Sequence, residues 1–453
     1  MATVEVPTPS PATRAGAGRN EWLLVLFAGS TNVADAVTRV ALPLLAVQLT
    51  RSPALIALVA VAVTLPWLVT ALHVGVLVDR RDRRRLMLAA EVTRLVAVAV
   101  LLGAVVTGTV VLPLIYATAL VLGTAEVVAM TANASIIPAA VPRTRWQTAV
   151  ARFTAVEYLA NGFVGTPIGG LLVAAGFVVA LGATGLLYLA GGVLLALLAG
   201  TFTAPATRPR QRVNVEIRAG LAFLWQHRLL RTMALLIAVM AGCWSAWMAL
   251  IPAYAADVLH LDPRQYGLLL TALGAGGVVG TVLVGPVNRV AGRRWSMSVD
   301  IAGSFLLVAA PAVVPVASAA GGTGATGAGA VAVGAAAFVA GIGGTMWTVN
   351  ARVIYQTFVP DDMLGRFMAT TRLIGWGTAP VAAALAGVLA TAAGYRPAFA
   401  VFALVAAGLV YPYLRVVTPR ALAEVQRPDP AGNPDPSGTP DPSGRAPADA
   451  TTG

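Results

Sequence analysis

Gly75-Val76-Leu77-Val78-Asp79-Arg80-Arg81-Asp82-Arg83-Arg84-Arg85 lies between two long apolar runs, and its reading decides the fold. Hydrocarbon cannot solvate its five arginines, so the stretch is a short loop in water joining two helices that return across one bilayer. The composition agrees: of 453 residues, 58% are hydrophobic and 11% charged, against roughly 25% charged in a soluble domain. The chain is read as an all-α integral membrane protein.

Working outward, apolar runs of about the 20 residues that span a bilayer recur between charged or turn-rich breaks. They predict helices near 21–47, 54–78, 86–107, 110–138, 147–175 and 178–203. A second set follows near 230–256, 264–287, 297–317, 328–350, 367–392 and 396–416. The expected fold is twelve transmembrane helices in two six-helix pseudo-symmetric halves, 21–203 and 230–416, flanked by tails 1–20 and 417–453. Between the halves, linker 204–229 spaces Ile217, Leu221, Leu224 and Trp225 for an amphipathic helix on the inner leaflet. The last tail repeats Pro-Asp-Pro with Gly or Ser, a composition expected to be disordered.

Arginine placement orients the chain. The loops that share a side with Arg80–Arg85 hold most of the arginines, whereas the opposite loops hold only Arg51, Arg264 and Arg396. Both termini are expected in the cytoplasm of a bacterial cell whose plasma membrane the chain crosses repeatedly. All 31 basic residues are arginine, a bias that fits a GC-rich genome. The net charge of +12 follows the loops and not one polar face, so no nucleic-acid partner is expected. Cys243 is the single cysteine, which excludes a disulfide framework and Cys/His metal spacing. Neither a phosphate-binding Gly-Lys loop nor a nucleophile triad occurs. The reading is therefore no enzyme, no metal and no cofactor.

Ionisable groups inside spans cost roughly 2.5–3.5 kcal/mol near a helix centre and should face protein or a wet cavity. They are Asp35, Arg39, Arg94, Glu126, Arg152, Glu157, Asp300 and Arg372. Asp35 and Arg39 share a helical face and can pair, either as a fixed packing element or in coupling and substrate contact. Glu126 has no arginine at pairing spacing in its own helix, and Arg152 stands five residues before Glu157. A carboxylate isolated in low dielectric can bind and release a proton near neutral pH, which favours Glu126 over Asp35 as proton carrier, with Glu157 behind. Asn133 and Asn161 are buried-amide candidates that must find partners. Trp347 and Trp376 would suit a flat substrate if they face inward, or packing if they do not.

The two halves look related. Gly75 to Arg80 has a weaker counterpart in Gly285-Pro286-Val287-Asn288-Arg289, and Gly165-Thr166-Pro167 has one in Gly377-Thr378-Ala379-Pro380. Repeated halves place a substrate site at their interface near the membrane midplane.

These features resemble the major facilitator superfamily, and within it the bacterial siderophore and macrolide exporters, over about residues 21–416. The family's loop signature Gly-x-x-x-Asp-Arg-x-x-Arg-Arg is matched by Gly75, Asp79, Arg80, Arg83 and Arg84, with Asp82 where many members have Gly. Thr38-Arg39-Val40-Ala41-Leu42-Pro43, Pro263 to Gly267 and Pro360 to Gly365-Arg366 also fit that branch. The fifth run carries Gly165, Pro167, Gly169 and Gly170, similar to the antiporter signature Gly-Pro-x-x-Gly-Gly with the proline one place later. Many drug antiporters of the family have an arginine in the fourth helix, where this chain has Glu126 instead.

The resemblance implies a cytoplasmic gate in which Asp79, with Arg80, Arg83 and Arg84, contacts the start of the eleventh helix at Gly365 and Arg366. A carboxylate there would face the positive end of a helix dipole; the plainer reading is a signal that keeps the loop inside. It further implies a monomeric secondary transporter exporting a small amphipathic molecule in exchange for protons. An importer or facilitator on the same fold, and a sensor or scaffold that moves nothing, are the alternatives.

Overall fold

The computed structural model describes residues 11–70, 73–74, 77–78, 81–141, 146–199, 202, 213–314 and 323–424. The described residues are helical apart from short connections. In chain order the first seven helices are α1 Pro11–Leu49, α2 Pro53–Val69, α3 Arg83–Thr107, α4 Leu112–Ala140, α5 Trp146–Tyr158, α6 Gly165–Ala175 and α7 Phe177–Ala196. A π-helical turn, Leu159–Val164, joins α5 to α6. Then come α8 Val213–Gln226, α9 Arg228–Asp257, α10 Pro263–Val290, α11 Gly292–Val313, α12 Thr323–Phe358, α13 Asp361–Gly377, α14 Ala379–Ala393, α15 Tyr395–Gly408, α16 Val410–Val416 and α17 Pro419–Glu424.

Among the described residues, eleven helical stretches are long and apolar enough to cross a membrane. The second expected span is represented by α2, with 17 residues, and its continuation toward residue 78 lies partly outside the described residues. Helix α1 begins ten residues earlier than the apolar run, at Pro11, so half of the expected N-terminal tail is helical. Ala12, Ala15, Ala17 and the arginines favour this extension and Gly16 and Gly18 oppose it, so the nucleated span carries the helix through a stretch of mixed propensity. Helix α12 likewise runs on to Phe358, past the apolar run that ends near 350. Helix α8 lies within the stretch 204–229.

Helix starts are built into the sequence. Asp262 accepts from the Gln265 amide at 2.9 Å while the Gln265 side chain accepts from the Asp262 amide at 3.0 Å, and Pro263 takes the first helical position of α10. Asp82 caps α3 through Arg85 N at 3.0 Å and accepts from Phe202 N at 3.2 Å, so one carboxylate ties the start of α3 to the chain beyond α7. The π turn precedes Pro167, which has no amide to offer Phe163 and would clash with its carbonyl in a regular helix. The wider turn absorbs that conflict.

Helix α1 packs on α6 and α7, and α3 on α4 and α7. Farther along the chain, α11 packs on α12 and α15, and α9 on α14. The early and late helices meet where α2 lies on α14 and α9, and where α6 and the π turn lie on α10. At the α6–α10 crossing a Cβ on Gly170 would stand 2.7 Å from the Pro263 carbonyl and 2.8 Å from the Gly267 Cα, so only glycine allows this approach. Nearby, Arg51 pairs with Asp257 at 3.0 Å, Tyr395 donates to Asp257 at 2.9 Å, and the Ala54 amide donates to Thr391 at 3.0 Å. This end of the bundle is tied shut.

Candidate functional site

Helix α3 contributes the most deeply buried charge. Arg94 is 1% exposed, and its guanidinium reaches Glu91 at 3.0 Å and Asp35 of α1 at 3.6 Å. Tyr188 of α7 donates to Asp35 at 2.7 Å and turns its ring toward Arg94, 5.5 Å from the ring centre. Thr31 of α1 donates to Glu91 at 3.1 Å. Two carboxylates, one guanidinium, a phenol and a hydroxyl thus form one network across three helices. Its pairing leaves the Arg94 Nε without a hydrogen-bond partner among the described residues, and removing one member strands the others in low dielectric.

Asp35 is the half-buried edge of this network. Beyond it lies Glu126 of α4, also half-buried, within electrostatic range of Asp35, Arg39, Arg94 and Arg372 and hydrogen-bonded to none of them. Arg39 donates to Asn161 in the π turn at 2.7 Å. Arg372 of α13 is not covered by protein: it lies 4.7 Å from the Trp67 ring centre, within 3.8 Å of the Met130 sulfur, and in electrostatic range of Glu126 and Glu157. Trp376, 45% exposed, stacks on Trp67 at 5.9 Å and 25°. Acids, arginines and a pair of flat rings therefore gather where α1, α2, α4 and the π turn approach α13. Such a surface can hold a flat molecule by stacking and can exchange protons beside it.

Several expected roles change. Asp35 and Arg39 do not pair with each other; Arg94 and Tyr188 take the first, and Asn161 takes the second, because neighbouring helices offer partners with better geometry than the next turn. Arg152 turns away from Glu157 to pair with Glu21 at 2.9 Å and to lie over Trp22. Trp347 is 2% exposed and packs against Tyr413, so it is core and does not face a substrate. Asn133 lies on α4 one turn beyond Met130, and its side-chain oxygen is buried without a hydrogen-bond partner among the described residues. Gly165 and Gly169 press α6 against α1, with an added Cβ at Gly165 falling 2.5 Å from that of Ala36. Gly170 makes the α10 crossing, and Pro167 sets the π turn.

Of the expected gate, Gly75, Asp79 and Arg80 lie outside the described residues, as does the side chain of Arg366; the backbone of Gly365 and Arg366 is in α13. Arg84 donates to the Leu195 and Ala196 carbonyls, Arg19 to Leu197 at 2.7 Å and Asn20 to Ala199 at 2.8 Å. These side chains satisfy the orphan carbonyls at the end of α7. Arg83 lies in the same first turn of α3.

Residues 24–372 and 259–447 match the model of the major facilitator superfamily. The chain belongs to this superfamily. Among its relatives, the multidrug efflux pump Tap of Mycobacterium bovis is 30% identical over 431 residues, covering 90% of this chain and 98% of that protein. Tap of Mycolicibacterium fortuitum is 27% identical over 403 residues, covering 85% and 93%. The fold matches the crystal structure of the nucleoside transporter NupG with a TM-score of 0.68 at 11% identity, covering 88% of this chain and 99% of that one. As a member of this superfamily the chain is a transporter and not an enzyme.

In this transporter Glu91, Tyr188 and the interfacial part of Arg372 escaped the sequence-based choice of site residues. The spacing of Glu91 and Arg94, three apart in an apolar helix, was the available signal. Nothing local marks Tyr188, whose role depends on how α7 is rotated.

Proposed function

We propose that the chain exports small amphipathic compounds, drugs or siderophore-like molecules, from a bacterial cell by alternating access, exchanging them for protons. In this reading it is a monomer with twelve spans in two six-helix halves, 21–203 and 230–416, and both termini are cytoplasmic. Linker 204–229 lies on the inner leaflet and 417–453 forms a cytoplasmic tail. The efflux assignment rests on Tap, which matches nearly from end to end.

The observation that carries the coupling is the junction at Asp35, where a closed ion network opens toward Glu126 and Arg39. Glu126 is the first choice of proton carrier: it feels Arg39, Arg94 and Arg372 and is hydrogen-bonded to none of them. Loading it removes a negative charge facing Arg39 and Arg372, so those guanidiniums gain an incentive to re-pair, and a flat substrate on Trp376 feels the change. Gly170–Gly267 and Arg51–Asp257–Tyr395 then stand on the outer side, in a conformation closed to the exterior.

Everted membrane vesicles test this. Accumulation of a fluorescent amphipathic dye under an imposed pH gradient, lost with a protonophore and lost in Glu126→Gln, is the expected result. Accumulation unaffected by the protonophore overturns proton exchange, and dye uptake into intact cells driven by this chain overturns export.

A further inference from the structure

Helices α11 and α12 touch backbone to backbone. A Cβ on Gly343 would stand 2.4 Å from the Asp300 Cα and 2.7 Å from the Val299 carbonyl, and a Cβ on Gly303 would stand 2.7 Å from the Ala340 Cα. Into the closest point of this seam comes an acid. Asp300 is 6% exposed and makes no hydrogen bond or ion pair among the described residues. A Cβ on Gly344 would find the Asp300 carboxylate at 3.8 Å. Its helical neighbour Ser296 is already engaged by Asn350 at 3.1 Å, and Asn350 accepts from Asn288 at 2.9 Å.

Among the described residues no cation faces it. On α12 the ionisable groups are Arg352 and Tyr355, and on α15 they are Tyr395 and Arg396. On α10 they are Arg264, Tyr266 and Arg289; on α9 the central one is Cys243, with the rest toward the ends, from Arg228 and Arg231 to Tyr254 and Asp257. Arg293 and Arg294 begin α11 itself, about two turns away. None of these forms a hydrogen bond or ion pair with the Asp300 carboxyl. An ionised carboxylate without a counter-charge in such a place costs several kcal/mol, far more than a neutral acid.

We infer that Asp300 is a proton-binding site in the second half of the chain, neutral while the α11–α12 seam is closed, and that its ionisation loosens the seam. The occupant is a proton: a metal ion takes several oxygen ligands, and among the described residues Asp300 belongs to no group of three or more acidic, histidine or cysteine side chains that could hold one. This site is separate from Asp35 and Glu126 and goes beyond the proposed export mechanism. Its action is on helix packing.

The test uses the purified full-length chain in lipid nanodiscs, without substrate. Infrared titration between about pH 6 and pH 9 should show the carbonyl band of a protonated, buried carboxylic acid at neutral pH. That band should persist in Glu126→Gln and vanish in Asp300→Asn. A band unchanged in Asp300→Asn, or lost in Glu126→Gln alone, overturns the inference while leaving the export reading to its own vesicle assay. A second readout covers the case in which Asp300→Asn does not fold. With Cys243→Ala as background, Gly344→Cys places a thiol where there is room for it, beside the acid. Its maleimide labelling rate, normalised to a surface cysteine, should rise about tenfold as Asp300 ionises at high pH. A flat profile overturns the site.

Discussion

Glu91 and Asp300 occupy corresponding places, each eight residues after its helix begins, at Arg83 and at Gly292, and they meet opposite fates. Glu91 has Arg94 one turn on and Thr31 across the groove. Asp300 has Gly303 one turn on, and that glycine cannot be an arginine because α12 lies in backbone contact with it. In the first half, side chains fill the space between helices and hold charge by pairing. In the second half the helices close on each other and leave the acid alone. The lesson is that the presence of a buried acid says little until the spacing of its neighbours is known.

The most damaging way to probe this contrast is Arg94→Met. It strands Asp35 and Glu91 together, and thermal unfolding in detergent should report a loss of about 3–5 kcal/mol along with abolished export. Next comes Gly170→Val, which should force α6 and α10 apart at a cost of about 1–3 kcal/mol and leave the tied end permeable to thiol reagents. The sharpest comparison pairs Glu91→Gln with Asp300→Asn. The first should lose about 1–3 kcal/mol, because it removes a charge-assisted partner from Arg94, whereas the second should stay within about 0.5 kcal/mol of the wild type at neutral pH. Equal losses would break the comparison. Tyr188→Phe removes one hydrogen bond from Asp35 and should cost about 1 kcal/mol, with the pH profile of export displaced. Arg51→Ala should be least costly, about 0–1 kcal/mol and salt-sensitive, since Arg51 is 87% exposed.

The spans were legible in the sequence because a bilayer imposes length and polarity on every crossing, and the five arginines within 75–85 mark a break that hydrocarbon would not hold. Element ends were less so: α1 begins at Pro11 because a helix, once nucleated, can continue past the apolar run through residues of mixed propensity, Gly16 and Gly18 among them. Within the site, sequence pointed to Asp35, Arg39, Glu126 and the glycines of α6, since an ionisable group or a glycine in hydrocarbon stands out wherever it faces. Partners did not stand out. Asp35 chooses Arg94 over Arg39 and Arg152 chooses Glu21 over Glu157, and both choices depend on helix rotations that a single chain of letters does not encode. Trp347 shows the same limit from the other side, an aromatic in mid-span that turned into the core.

Arg94 carries a further consequence. A guanidinium keeps its proton at any pH a cell meets, so the net charge of this layer is set by Asp35 and Glu91, the two acids that Arg94 reaches. In the proposed export cycle, any uncompensated charge of that layer that crosses the full thickness of the membrane exchanges about 2.3 kcal/mol per 100 mV. In that reading the protonation of Asp35 and Glu91, and not Arg94 alone, decides whether membrane voltage acts on which way the protein faces.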